Sequence, residues 1–236
     1  MDTRDTAVSR SAGAPRRRGR PPKQVAGPAP GRERLLQAAQ EHFCRHGFEQ
    51  ASLRAIGQQA GVDAALVAHH FGSKAELWGA VVEDMIERRS GHLQALQGIA
   101  AASGPLVARV TALLDYWVDF VAQAQDLFIF FFREWVAPGE RFDILADRLV
   151  RPGYDICRPL WREASAAGLL ATRNPAMFHV ALLGLLCTTL HSRTLISRLS
   201  GQPTSMRTLT KALREDLHAW LKTPLSADQG AGQRLL

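Results

Sequence analysis

Apolar residues recur along the chain at helical spacing, not at the alternation of a strand. Leu35, Leu36, Ala39 and Phe43 form one stripe of a helix over about 32–46, and Gly47 ends it. Two short helices follow at about 53–59 and 64–70. Ala55, Ile56, Ala60, Val62, Leu66, Val67 and Phe71 supply the apolar contacts between them. A fourth helix starts after Ser73 and runs to about Leu96. Further on, the pattern predicts helices at about 105–123, 126–136, 142–168, 175–199 and 205–222, the third of them broken near Pro152-Gly153. The expected class is all-α, with an N-terminal three-helix unit and a C-terminal helical domain.

The polar residues between these stripes agree with that reading. Ser52 and Asp63 can cap the two short helices, since a side-chain oxygen there accepts from an orphan N–H. Gly61 between them tolerates the left-handed backbone of a sharp turn. Ser73 and Glu76 form an S-x-x-E capping box. Asn174-Pro175 is a helix start, and Gly201-Gln202-Pro203 separates the last two helices. Two short helices across a glycine turn make a helix-turn-helix over 52–71, a unit that puts its second helix into a DNA major groove.

Arg32–Trp78 resembles the DNA-binding domain of the tetracycline-repressor (TetR) family. The residues that carry the resemblance are Leu35-Leu36, Ala38-Ala39, Phe43, Gly47-Phe48, Ser52, Ile56, Ala60-Gly61-Val62, His70-Phe71, Ser73-Lys74 and Leu77. Ala68 stands where the family usually has a Tyr that contacts phosphate. Gly57 replaces a small Ala, and an interior helical Gly costs about 0.5–1 kcal/mol relative to Ala, so a looser helix is expected there. The resemblance implies a regulator that binds double-stranded DNA as a homodimer and is released from a palindromic operator, as a repressor, by a small-molecule effector.

Composition adds a charged tail. The net charge is +7, of which residues 1–29 carry +5. A basic tail suits a polyanionic partner, though a solubilising arm has the same composition. Residues 1–29 read as disordered. Within them Arg18-Gly19-Arg20-Pro21 resembles an AT-hook core, which lays two Arg side chains in the minor groove of A·T-rich DNA. The domain reading is an arm at 1–29, a DNA-binding domain at 30–89, a helical effector and dimerisation domain at 90–224, and a flexible tail at 225–236.

Residues 1–29 lack the apolar core of a secretory signal, and Met177–Leu190 falls short of the ~20 residues a membrane span needs. The expected place is the bacterial cytoplasm, on the nucleoid when bound to DNA. Cys44, Cys157 and Cys187 show no C-x-x-C pairing, so buried thiols are expected, with a redox sensor as the alternative.

The candidate DNA contacts begin with Arg18 and Arg20 in the arm. Arg54 can read guanine or bind phosphate, and Ser52 can donate to phosphate as well as cap. On the recognition helix, Ala64, Ala65 and Leu66 offer apolar edges that suit thymine methyls. By the resemblance, His69 and His70 face DNA; His70 could instead pack on Phe71. Lys74 lies at a helix N-terminus, a favourable phosphate site.

In the body, the aromatic residues read first as core. The resemblance adds a small-molecule pocket among the middle helices, with Trp117, Phe120, Phe131, Arg133 and Trp161 as candidate lining. Arg133 and Glu134 could equally make internal salt bridges. Met206, Leu209, Leu213, Leu217 and Trp220 repeat at spacings of 3, 4, 4 and 3. Ala181, Gly184 and Cys187 put small residues on one side of the preceding helix. The resemblance implies that Ala181, Gly184, Cys187, Leu209, Leu213, Leu217 and Trp220 meet their copies in a second subunit; internal core is the alternative. No nucleophile elbow, phosphate loop or paired-carboxylate motif is visible, so an enzyme is not expected, and no cofactor or metal is implied. His42 and His46 stand four apart but find no third ligand in sequence. An architectural DNA binder without an effector is the alternative function.

Overall fold

The computed structural model describes residues 30–135 and 139–221, all helix and connecting turns with no strand among them. The arm, with Arg18 and Arg20, and the tail at 225–236 lie outside the described residues. Four helices form the head: α1 (Pro30–Gln50), α2 (Leu53–Ala60), α3 (Ala64–Phe71) and α4 (Lys74–Glu87). The body holds α5 (Gly91–Ala100), α6 (Leu106–Gln123), α7 (Gln125–Trp135), α8 (Glu140–Leu145), a π-helical turn (Ala146–Val150), α9 (Arg151–Ala166), α10 (Pro175–His191), α11 (Arg193–Ser200) and α12 (Met206–Trp220).

The polar signals set the helix starts. Ser52 accepts from the Ala55 N–H, Asp63 from Ala65 and Asn174 from Ala176 and Met177, and the Ser73–Glu76 box closes in both directions. Gly61 takes the left-handed conformation at φ 72° that the turn requires.

Several boundaries differ from the sequence reading. Gly47, at φ 77°, interrupts α1, and the helix resumes to Gln50. The fourth helix stops at Glu87, well short of Leu96, because arginines cap its C-terminal carbonyls: Arg88 Nε donates to Asp84 O and Arg89 Nη1 to Met85 O. Pro152 does not break its helix. It sits in the first turn of α9, where a missing N–H costs nothing, and the irregularity is the π turn just before it. The run 175–199 divides at Ser192, whose N–H closes on Thr188 O and Thr189 O.

Head and body share one apolar joint. Phe130 of α7 stacks on Trp78 at 5.6 Å between ring centroids and meets Phe43 edge-on at 6.3 Å. Polar ties surround it. Asp126 takes both oxygens to Arg89 Nη2, at 2.7 and 2.9 Å, and accepts from Gln40 Nε2 at 2.5 Å. Burial alone would raise the Asp126 pKa, but the Arg89 hydrogen bonds and charge, with Gln40, hold it below the usual carboxylate range. Arg133 Nη2 donates to Arg45 O at 2.6 Å. Arg141 bonds Glu134 at 3.0 Å and Glu49 at 3.2 Å, with its guanidinium 4.0 Å from the Phe48 ring centroid.

The stripe on α12 faces inward. Leu209, Leu213 and Leu217 are buried against α6, and Arg214 to Asp119 and His218 to Asp115 (2.8 Å) flank the contact. That overturns their assignment to a subunit interface. The 3-4-4-3 spacing marks an apolar face without saying which neighbour covers it, and α6 covers it here. Cys187 is buried too. Ala181 and Trp220 remain on the outside with Met177, Val180, Leu195 and Leu199, while Gly184 is half-buried. No single described helix is long and apolar enough to cross a membrane; α10 and α11 pass that test only as a pair bent by 68°.

Candidate DNA-binding head and ligand cavity

The two helices of the motif meet through very little volume. Gly57 of α2 is buried, and a Cβ there would stand 3.0 Å from Val62 O and 3.2 Å from Val67 Cγ2. The expected loosening is therefore reversed in meaning: the missing side chain lets α2 close onto the turn and α3. Val67 and Phe71 turn inward. Ala65, Leu66, Ala68, His69 and His70 are exposed, and Ala64 is half-buried. Leu66 does not join the helix-helix contact; at 41% exposed it belongs to the outer face. His70 is exposed although its ring lies 6.3 Å from Phe71. Arg54 is exposed on α2 and makes no side-chain hydrogen bond or ion pair with the described residues. Ser52 accepts the capping bond at 3.2 Å, which leaves its hydroxyl proton able to donate.

Lys74 departs from expectation. Its ammonium donates to Phe48 O at 2.9 Å and Glu49 O at 3.2 Å and lies 4.4 Å from the Phe48 ring centroid. It ties α4 to the end of α1, because the carbonyls ending α1 attract a cation more closely than solvent does. It is thus not a free phosphate ligand.

The body contains a mainly apolar cavity that opens to solvent. Trp117, Phe120 and Phe131 line it. Arg133 does not. It is turned to Arg45 O and borders a shallower neighbouring groove. Trp161 is fully buried behind the cavity, where its indole Nε1 donates to His179 Nδ1 at 3.4 Å. Helix α10 closes one wall with His179, Leu183 and Cys187, and the π turn brings Arg148, Leu149 and Val150 to it.

The sequence reading missed His92, His179, Arg89 and Arg148 on this cavity. A histidine inside the apolar run Met177–Leu190 was the available signal for one of them. Burial pushes the imidazoles of His92 and His179 down to about 4, so both rings are neutral at pH 7. His92 Nδ1 lies 2.9 Å from the Tyr116 hydroxyl, and its ring stacks on Phe120 at 3.6 Å. Burial also raises the thiols, Cys44 to about 11 and Cys157 and Cys187 to about 12, so none carries much reactive thiolate. Among the described residues no group of three His, Cys, Asp or Glu side chains could hold a metal ion.

Residues 35–81 match the family profile described as bacterial regulatory proteins, tetR family. The match covers most of the head. A regulatory protein of Mycobacterium tuberculosis, the HTH-type RaaS, is 63% identical over 41 residues, 17% of this chain and 19% of that protein. The HTH-type transcriptional activator FasR of Mycolicibacterium smegmatis is 35% identical over 108 residues, 45% of this chain and 47% of its own. The chain thus spans less than half the length of these curated relatives. Among solved structures, the transcriptional regulator FadR of Bacillus subtilis, in complex with stearoyl-CoA, superposes with a TM-score of 0.53 at 14% identity, over 80% of this chain and 99% of its own. That likeness is one of fold, and it covers the body as well as the head.

Proposed function

We propose that the protein is a sequence-specific DNA-binding transcriptional regulator, a dimeric repressor released from a palindromic operator when a small molecule fills the body cavity. The observation that carries this reading is the outer face of the TetR-type head. Arg54, Ala65, Leu66, His69 and His70 stand exposed on a capped helix-turn-helix whose inner residues are fully used in packing. Small apolar groups meet thymine methyls, and Arg54 supplies a bidentate donor. In a two-fold dimer the two α3 helices would meet half-sites about one turn, ~34 Å, apart.

The ligand half of the reading rests on the cavity, and a protein of the same fold was solved with stearoyl-CoA. Asp126 sits at the start of α7, whose Leu127, Phe128 and Phe131 line the cavity, and it holds Gln40 of the head. A ligand that moves α7 therefore biases the head, and it shifts DNA affinity only as far as it prefers one arrangement over the other.

The test is selection of genomic DNA fragments by the full chain at about 150 mM salt. Enrichment of one palindromic site supports the reading, and a reporter placed behind that site gives the sign of regulation. Salt-sensitive binding with no preferred sequence overturns it in favour of an architectural binder.

A further inference from the structure

Resting on the reading of the body as a ligand domain, we propose that the cavity takes an uncharged, mainly hydrocarbon molecule with one hydrogen-bond-accepting carbonyl oxygen, bound by the Nε2–H of His179.

The cavity wall is largely carbon, which favours an apolar body. Charge is already balanced there. Arg89 is held by both Asp126 oxygens, and Arg148 by both oxygens of Glu83. A carboxylate ligand would share these guanidiniums with Asp126 or Glu83 and meet their negative charge, which weakens its pairing relative to a free Arg. No acidic residue is among the described residues that line the cavity, so an ammonium has no partner either.

Two buried polar side chains that line the cavity have an N–H without a hydrogen-bond partner among the described residues. His179 is 1% exposed and lines the cavity. Its Nδ1 accepts from the Trp161 N–H, which puts the ring proton on Nε2. Nε2 has no partner. A buried donor without an acceptor is unfavourable, and an acceptor oxygen on the ligand would remove that cost on binding. Trp117 supplies a second such N–H, with only the Cys157 thiol, a weak acceptor, beside it. A neutral ring in this position donates to a carbonyl without introducing a buried cation. Two leftover donors and balanced ions select a neutral acceptor over either charged class.

The experiment is isothermal calorimetry on the full chain near neutral pH with four eight- or nine-carbon probes: 2-octanone, its methylene isostere 2-methyl-1-octene, octanoate and octylammonium. The ketone is expected to bind about tenfold or more tighter than either ion. His179→Phe should lower the ketone-to-alkene affinity ratio roughly two- to tenfold. In chain labelled with ¹⁵N-histidine, the His179 Nε2–H resonance should move with ketone and not with alkene, a readout that needs no variant. Octanoate binding as tightly as the ketone overturns the ligand class and leaves the cavity as a ligand site. An unchanged ratio with an unmoved resonance overturns the role of His179. Failure of all four probes to bind overturns the class and the ligand-domain reading together. DNA is absent from every arm, so a defect in operator recognition cannot imitate any of these results.

Discussion

Helices α3 and α10 are both apolar, and they use that character in opposite directions. The eight residues of α3 turn Val67 and Phe71 inward and leave small or aromatic-polar groups outside, a face shaped for a long external partner. The seventeen residues of α10 turn His179, Leu183 and Cys187 toward the cavity, and leave Met177, Val180 and Ala181 on the outside. On the proposed reading, recognition by α3 can be built from caps and a turn, because DNA would supply the other half of the surface. The cavity wall on α10 requires α4, α5, α6, α7 and the π turn to arrive at the same place. A site made by one element survives changes elsewhere; a site made by six inherits the stability of the whole body.

That contrast can be broken most forcefully at Leu213, part of the inward α12 stripe. Leu213→Ala should destabilise the fold by about 2–5 kcal/mol, read by thermal melting. A loss of dimer with an unchanged melting point would return this stripe to the subunit interface. Next in size is the pH response of the body. His179 is neutral in the fold with its pKa lowered to about 4, against an ordinary 6.5. The depressed folded value means its contribution is fully present above 6.5 and is lost as pH falls through about 4, up to about 3 kcal/mol. His179→Phe should reduce the slope of the melting temperature across that window, with His92 supplying what remains, and an identical pH slope would show that His179 does not contribute.

The head gives the third case. Arg54→Ala should cost about 1–3 kcal/mol of operator affinity and leave helix content and melting unchanged. Undiminished affinity would remove Arg54 from the DNA face. Smaller again is Asp126→Asn at the joint. It weakens the bonds to Arg89 and Gln40, and should cost about 1–2 kcal/mol because the pair is only half-buried. The loss should show at pH 7 and vanish below the ordinary aspartate range. Trp220→Ala, on the exposed face, should move fold stability by less than about 0.5 kcal/mol and act, if anywhere, on subunit association.

The same contrast explains what could be read in advance. Ser52, Gly61, Asp63, Ser73 and Glu76 act within a turn of themselves, so their roles were legible residue by residue. Trp117, Phe120 and Phe131 were legible as an aromatic cluster, and the cavity uses them. Arg133, Trp161 and Lys74 were misplaced because each has a partner far along the chain or in another element: Arg45 O, His179, and Phe48 O with Glu49 O. His179 was passed over because one histidine in an apolar run looks like a blemish until its two nitrogens are traced to different surroundings. Gly57 read as a weakness in α2 because helix propensity says nothing of the Val62 carbonyl that approaches it from outside.

The placement of the five tryptophans has an optical consequence. Trp117 and Trp135 line the cavity, Trp161 is buried beside His179, Trp78 stacks on Phe130 where head meets body, and Trp220 stands on the outer face. Each indole reports on its own surroundings through the colour and intensity of its emission. Under ultraviolet light the molecule therefore carries built-in lamps for an occupied cavity, a shifted joint and a covered outer face, and single Trp→Phe replacements would let each be watched in turn without attaching a dye.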